Sequence, residues 1–512
     1  MKKLIFVFYF LTIHLNSQEF TVASYNVENL FDLKYDGTEY KQFQPNTKSW
    51  NKKLLNIKLK KISKTIKDLD ADILALQEIE SQKAFDLLLA QNPQYSYGYF
   101  MKNIQASVGL GILSKYKIIN NKTIKINDFD KYSRPILSTT IKIKNKKFII
   151  YNNHWQSKRA GESKRTRYAI ALKNQIESHS NDTDYILIGD FNSNYNEWKT
   201  FKYEKRLNNT YGITGINHIL NTIIDNTPIL QSNINKFKKR VHYNLWYELT
   251  NENRFSYKFR GDKNTPDNIL LPKALFDTSN ISYVRNSFKV FKPKYLYKDN
   301  KINRWNKSKG YSDHLPIIAT FTTNTLLSQK EIKTYKLNSY MINHLYTLEF
   351  VDKPIKIKDT VVIYKFKKNA IVKQPNNRAI YLYGCATDLE IGMKYDLTID
   401  TIANHFGLLE VKEISKVKKK ASFENYEELH QDGNKIDIFD EKYTNEIVTN
   451  LKGRYKRGYL YLENNQRIKL YFPKRVKKPK NNSKIEVKKG HLGIYKSNVQ
   501  ILIHRKSDIK RL

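Results

Sequence analysis

Ile186-Leu187-Ile188-Gly189-Asp190-Phe191-Asn192-Ser193 passes from three branched aliphatic residues to a carboxylate, an amide and a hydroxyl. A short apolar run bounded by polar residues reads as a buried strand, so Asp190 and Asn192 stand where that strand leaves the core. The same grammar recurs in both directions along the chain. Phe20-Thr21-Val22-Ala23-Ser24-Tyr25 is followed by Asn26 and Glu28, and Ile73-Leu74-Ala75-Leu76 runs into Gln77 and Glu78. Phe148-Ile149-Ile150-Tyr151 leads to Asn153-His154, while Asp267 precedes an apolar strand and Asp313-His314 precedes another. If these strands share a sheet, the polar groups gather at one rim.

Helical patterns alternate with the strands. Leu55, Leu59, Ile62, Ile66 and Leu69 recur at four- and three-residue spacing, giving residues 52–70 one apolar stripe opposite a lysine-rich face. Arg167–His179 reads as a second helix, and strands outnumber helices from Phe20 to about Phe321. That pattern predicts a layered α/β sandwich. Residues 323–339 are polar and read as a linker. After them the texture is strands without an amphipathic helix, in blocks at 340–420 and 448–512 separated by an acidic linker at 421–447. Close strand spacing predicts two small all-β, OB-like domains.

The chain has 512 residues, enough for several domains. Its 90 Lys and Arg against 49 Asp and Glu leave a formal charge of +41, while 40% apolar and 13% aromatic residues supply real cores. Collagen-like and low-complexity chains are excluded by 18 Gly and 12 Pro. The single Cys385 excludes internal disulfides and CxxC zinc sites. The charge favours polyanions: nucleic acid, acidic polysaccharide or an anionic membrane surface. Lys2 and Lys3, the apolar run Leu4 to Leu15 and then Asn16-Ser17-Gln18 match a secretory signal peptide over residues 1–17. The expected location is therefore outside the cytoplasm, periplasmic or extracellular. No later stretch is apolar enough to span a bilayer, and no obligate protein partner is expected.

Carboxylates, amides and two histidines at strand ends, with no thiolates, suit a hard cation, Mg²⁺ or Mn²⁺. Such a set fits metal-assisted phosphodiester cleavage without singling it out. Five cations in Gln156–Arg167, Lys158 and Arg159 first among them, follow His154 closely enough to grip a phosphate backbone. In the tail, Tyr455, Tyr459, Tyr461 and Tyr471 interleave with Lys452, Arg454, Lys456, Arg457 and Arg467, a pattern suited to stacking plus phosphate contact.

Ser24–Phe31, Leu76-Gln77-Glu78, Asn152–Trp155, Gly189–Ser193 and Ser312–Pro316 resemble, in order, the motifs of the endonuclease/exonuclease/phosphatase superfamily. That superfamily includes pancreatic-type deoxyribonucleases, abasic-site endonucleases, sphingomyelinases and inositol polyphosphate phosphatases. The resemblance covers about residues 20–322 and implies a four-layer sandwich, two β-sheets flanked by helices. It implies Glu78 as principal metal ligand, with Asn26 and Asp313 completing or supporting the site, for Mg²⁺ with Mn²⁺ as substitute and Ca²⁺ assisting. Asp190 would orient or deprotonate water, Asn192 would hold a phosphate oxygen, and His314, oriented by Asp267, would hydrogen-bond the phosphate. His154 would be a general-acid candidate beside the leaving oxygen, and Arg134 a phosphate contact. One departure is Asp267-Asn268-Ile269, where an aromatic residue or His often follows the Asp.

The expectation is a secreted, Mg²⁺-dependent nuclease acting on DNA, with polyanion-binding C-terminal domains. The alternatives are a phosphodiesterase or phosphatase acting on phospholipid or small esters, and a non-catalytic binder of nucleic acid or matrix.

Overall fold

In the computed structural model of the chain, alternate residues of the first strand enter two different cores. The structure describes residues 18–512 apart from 127–132, 202–203, 278, 324–340, 350, 352–353, 465, 475 and 496–497. The expected signal peptide at 1–17 lies outside the described residues, as does the linker expected at 323–339 apart from Thr323.

The chain opens with β1 (Glu19–Leu30), α1 (Lys52–Leu69), β2 (Ile73–Ile79), α2 (Gln82–Ala90), β3 (Tyr97–Met101) and β4 (Gly109–Ser114). There follow β5 (Lys117–Ile124), β6 (Ile136–Ile143), β7 (Lys146–His154), α3 (Glu162–Glu177) and β8 (Tyr185–Asp190). One sheet runs Ser282–Tyr283, Ile317–Thr322, β1, β2, β4, β3. The other runs His242–Asn244, Asp267–Pro272, β8, β7, β6, β5.

Strand alternation explains the layering. Phe20, Val22, Ile73 and Ala75 from the first sheet meet Ile150, Ile186, Ile188 and Ile269 from the second in one buried cluster. The intervening Ala23, Tyr25, Leu74 and Leu76 face outward onto Leu55, Leu59, Ile62 and Ile66 of α1. Tyr151, Leu187 and Leu270 likewise pack on Tyr168, Leu172 and Ile176 of α3. The result is helix, sheet, sheet, helix, with both sheets buried on both faces.

The α1 stripe reads directly from the sequence, and Asn51 caps it by accepting from the Leu54 amide at 3.2 Å. By contrast α3 begins at Glu162, five residues before the expected start at Arg167. The apolar stripe begins only at Tyr168; the first turn is held instead by a fully buried Glu162–Arg165 pair at 2.8 Å.

After a short helix at Ile342–Leu345 the chain is built mainly of strands. Ile355–Phe366, Asn369–Lys373, Ala379–Leu382, Leu408–Ser422 and Met393–His405 close a barrel in that spatial order. Ala379–Leu382 and Leu408–Ser422 are parallel, and the other neighbours are antiparallel. A nine-stranded sheet follows. Within it Ile447–Thr449 pairs with Gly490–Tyr495 and Leu451–Lys456 with Tyr459–Leu462, the change of partner coming at Asn450 (φ 64°). The sheet thereby curls around Leu451, Tyr455, Leu460, Ile468 and Ile485.

The acidic stretch 421–447 is packed onto the barrel. Glu446 is buried against Lys373 at 2.7 Å and accepts from the Ala379 amide. The all-β part is fastened to the sandwich by Arg378–Glu252, Lys263–Glu441 and Arg254–Glu349. No helix among the described residues is long and apolar enough to cross a membrane.

Candidate active site

The register of the second sheet assembles half of the site. His154 of β7 pairs with Asp190 of β8, and Asp190 pairs with Asp267 on the next strand, so three site residues stand in one row. Gly189 permits the close approach: its φ is +128°, and a Cβ there would lie 2.2 Å from the Asn153 carbonyl oxygen.

The first sheet supplies the rest through a distortion. The β1–β2 register slips between Asn26 and Leu30, and the β2–β4 register slips between Gln77 and Ile79. Glu28, Asn29 and Glu78 take left-handed backbones (φ 51°, 64° and 67°), as does Asn192 (φ 47°). A bulge re-aims the side chain it carries, and such conformations concentrate where function needs them. The two sheets are locked face to face by Gln77 Nε2 donating to Asn152 Oδ1 at 2.7 Å, and by Asn152 Nδ2 donating to the Leu76 and Gly111 carbonyls.

At the rim, Asn26 Nδ2 donates to Glu78 Oε1 at 3.0 Å and to Asp190 Oδ2 at 3.1 Å, while its Oδ1 accepts from the Glu28 amide. Asn26 thus holds the two carboxylates together. His154 Nε2 lies 3.6 Å from Glu78 and 3.7 Å from Asp190. His314 Nδ1 is 2.7 Å from Asp267 Oδ2, and its Nε2 lies 4.0 Å from both Asp190 and Asp313. Ser256 donates to the same Asp267 oxygen, and the Tyr257 ring lies 4.8 Å from that of His314. Asp267, weakest in sequence context, is thus held between His314 and Ser256.

Burial and the Asp313 carboxylate push Glu78 up to about 7, and burial with Asp267 nearby pushes Asp190 up to about 6. Facing carboxylates held close together are relieved by a cation. Glu78, Asp190 and His154 offer donor atoms within 4.8 Å of one another, so the residues fit a divalent ion. Burial alone would lower His314, yet the Asp267 carboxylate, aided by Asp190 and Asp313, carries it well above the ordinary imidazole value. His154 moves the other way: burial, with Arg134 and His314 near, drives it well below. Its Nδ1 has no hydrogen-bond partner among the described residues. Both imidazoles thus face Asp190, His154 at 3.7 Å and His314 at 4.0 Å, with proton affinities shifted in opposite directions.

Other expected contacts are engaged inside the fold. Arg134 donates to the carbonyls of His154 and Trp155 at 3.0 and 2.6 Å, bracing the end of β7. Asn192 Nδ2 donates to the Trp155 carbonyl at 3.0 Å, and its amide to Asp190 Oδ1. Lys158 pairs with buried Glu197 at 2.7 Å, whereas Arg159 is exposed. Arg165, in the stretch read as a phosphate grip, is fully buried.

The sequence reading missed Lys58 and Arg304. Lys58 is buried in α1 and donates to the Tyr311 carbonyl, its ammonium pushed down to about 8 by burial despite Glu28 and Asp313. Arg304 pairs with Glu28 at 3.1 Å and lies 4.0 Å from Asp313. In a chain this rich in lysine and arginine, neither position carries a local signal.

A model of the Endonuclease/Exonuclease/phosphatase family matches residues 21–323. The chain belongs to that family. Members of this endonuclease/exonuclease/phosphatase family are metal-dependent hydrolases of phosphate esters. No curated protein matches the chain. Solved structures similar to it include a humanized D. rerio TDP2, at 15% identity over 59% of this chain and 98% of that one, with a TM-score of 0.39. ANGEL2, a 2′,3′-cyclic phosphatase, shows 18% identity over 60% and 96%, with a TM-score of 0.38. A family protein from Bacteroides thetaiotaomicron shows 14% identity over 60% and 96%, with a TM-score of 0.37.

Proposed function

We propose that this family member is an exported, Mg²⁺-dependent nuclease acting on DNA, its catalytic domain ending near residue 322. The observation that carries the reading is the rim itself: the Glu78 and Asp190 carboxylates bridged by Asn26, beside a histidine held by Asp267 at 2.7 Å, in a chain of net charge +41. Glu78 and Asp190 would hold the cation, with Asp313 and Asn26 in support; Mn²⁺ would substitute and Ca²⁺ assist. Such a cation, when bound, polarises a phosphoryl oxygen and lowers the pKa of water. Asp190, fixed by the Asn192 amide, would orient the attacking water and take its proton. His314, its Nδ1 engaged by Asp267, would direct Nε2–H at the phosphate or the leaving oxygen. His154, 3.6 Å from Glu78 and 3.7 Å from Asp190, would be the general-acid candidate beside the leaving oxygen.

The strand order of the C-terminal barrel, with its single parallel pairing, supports the OB-like reading of 340–420, and the curled sheet supports it for 448–512. Export rests on residues 1–17. The deciding assay offers plasmid DNA, RNA and sphingomyelin to the purified protein with Mg²⁺ or EDTA. DNA cleavage abolished by EDTA is expected; turnover of sphingomyelin alone would replace the nuclease reading with a lipid phosphodiesterase.

A further inference from the structure

One face of the C-terminal sheet is built as two cross-strand rows. Leu451–Lys456 and Tyr459–Leu462 form a hairpin turning at Arg457-Gly458 (φ 49° and 85°), and Arg467–Tyr471 lies on its other edge. Alternation buries Leu451, Tyr455, Leu460, Ile468 and Leu470 and sends their neighbours outward. In one row Arg454 stands opposite Tyr461, and Tyr461 opposite Arg467; Lys484 extends it beyond Arg454. In the next, Lys456 stands opposite Tyr459, and Tyr459 opposite Lys469. Tyr471 follows on the third strand, 48% exposed, and Tyr461 is 37% exposed.

The placement differs from an ordinary solvated face. Directly opposed residues in a sheet lie about 5 Å apart, so Tyr459 and Tyr461 are each flanked on both sides by a cation at side-chain reach. These three strands contain no Asp or Glu. A row of cations with no acid among them repels itself, and neither member gains an ion-pair partner from its neighbours across the strands. The pattern matches a polymer that alternates a flat aromatic unit with an anionic link. Polysaccharides carry the charge without the flat unit; duplex DNA hides its bases inside the stack.

We propose that this face, formed by Arg454, Lys456, Tyr459, Tyr461, Arg467 and Tyr471, binds single-stranded nucleic acid, with bases stacked on the tyrosines and phosphates on the cations. The inference rests on the nuclease reading for its biological sense, but its test does not. Fluorescence anisotropy in EDTA, where no cleavage intervenes, measures binding of a labelled 20-nucleotide oligo(dT) to the full chain. Tyr461→Ala and Tyr471→Ala should each weaken binding about tenfold, while Tyr461→Phe, which keeps the ring, should bind like wild type. Arg454→Gln/Arg467→Gln should lower the slope of log affinity against log salt by about 1 to 2. Heparin fragments of matched charge should lose affinity in the arginine variant but not in the tyrosine variants.

Unchanged oligo(dT) affinity in both tyrosine variants overturns the proposal. So does an equal loss for heparin and oligo(dT) in those variants, which would make the face a general polyanion patch. A wild-type chain that binds oligo(dT) as described yet cleaves no DNA with any divalent ion would leave this face standing and remove the nuclease reading instead.

Discussion

His314 Nδ1 lies 2.7 Å from the Asp267 carboxylate, while Nε2 points toward Asp190 and Asp313 at 4.0 Å from each. One ring nitrogen is engaged by a buried anion and the other faces the reaction site. Asp267 therefore sets both the orientation of the ring and its hold on the proton, against the opposing pull of burial.

Replacing Asp267 with Asn separates these two effects. Asp267→Asn removes the charge that keeps His314 protonated, so the pKa of the imidazole should fall. Activity that requires the protonated ring is present below that pKa and lost above it. The alkaline limb of kcat should therefore move to lower pH, whereas His314→Ala should lose 10²- to 10⁴-fold at every pH. A pH–rate profile of Asp267→Asn that overlays wild type would remove Asp267 from the mechanism.

The carboxylate pair predicts a coupling between metal and pH. Glu78, near 7, and Asp190, near 6, must be ionised to hold a cation, so metal affinity rises as pH climbs through this range. The acid limb of activity should lie near pH 6–7 at limiting Mg²⁺ and shift to lower pH as Mg²⁺ is raised. An acid limb independent of Mg²⁺ concentration would show that these groups do not hold the ion.

Glu78→Ala should lower activity by at least 10²-fold without loss of fold, because the side chain is anchored by one amide and reaches solvent at the rim. Far-UV circular dichroism and melting should match wild type. Turnover at the wild-type rate under saturating Mg²⁺ would refute the ligand assignment.

Gly189→Ala tests the fold beneath the site. A Cβ 2.2 Å from the Asn153 carbonyl, at φ +128°, cannot be accommodated without parting β7 from β8. The expected result is a protein several kcal/mol less stable, seen as a large drop in Tm.

Glu349 tests the junction between sandwich and barrel. It pairs with Arg254 and accepts from Tyr195 and Lys199, next to a cavity of about 540 Å³ also lined by Asn194 and Thr265. Glu349→Ala strands the buried Arg254 guanidinium and should cost about 3–5 kcal/mol. Since Asn194 and Thr265 flank the segments carrying Asn192 and Asp267, kcat should fall as well. Wild-type stability in thermal melts would mean that Arg254 finds other partners.

Much of this molecule is written locally. The period of α1 and the aliphatic runs of β1, β2, β7 and β8 fix element type, because burial on one or two faces demands a matching apolar pattern. The ordered polar residues at their ends named Asn26, Glu78, His154, Asp190, Asp267 and His314. Tertiary structure decided what each group does. His314 is raised by Asp267, 47 residues away in the chain and 2.7 Å from its Nδ1, whereas burial with Arg134 and His314 nearby lowers His154. Lys58 and Arg304 stand beside the site carboxylates, while Arg165 is fully buried in the scaffold. Charge and hydrogen-bonding capacity are properties of a residue; desolvation and partner distance are properties of the fold, and these set the chemistry.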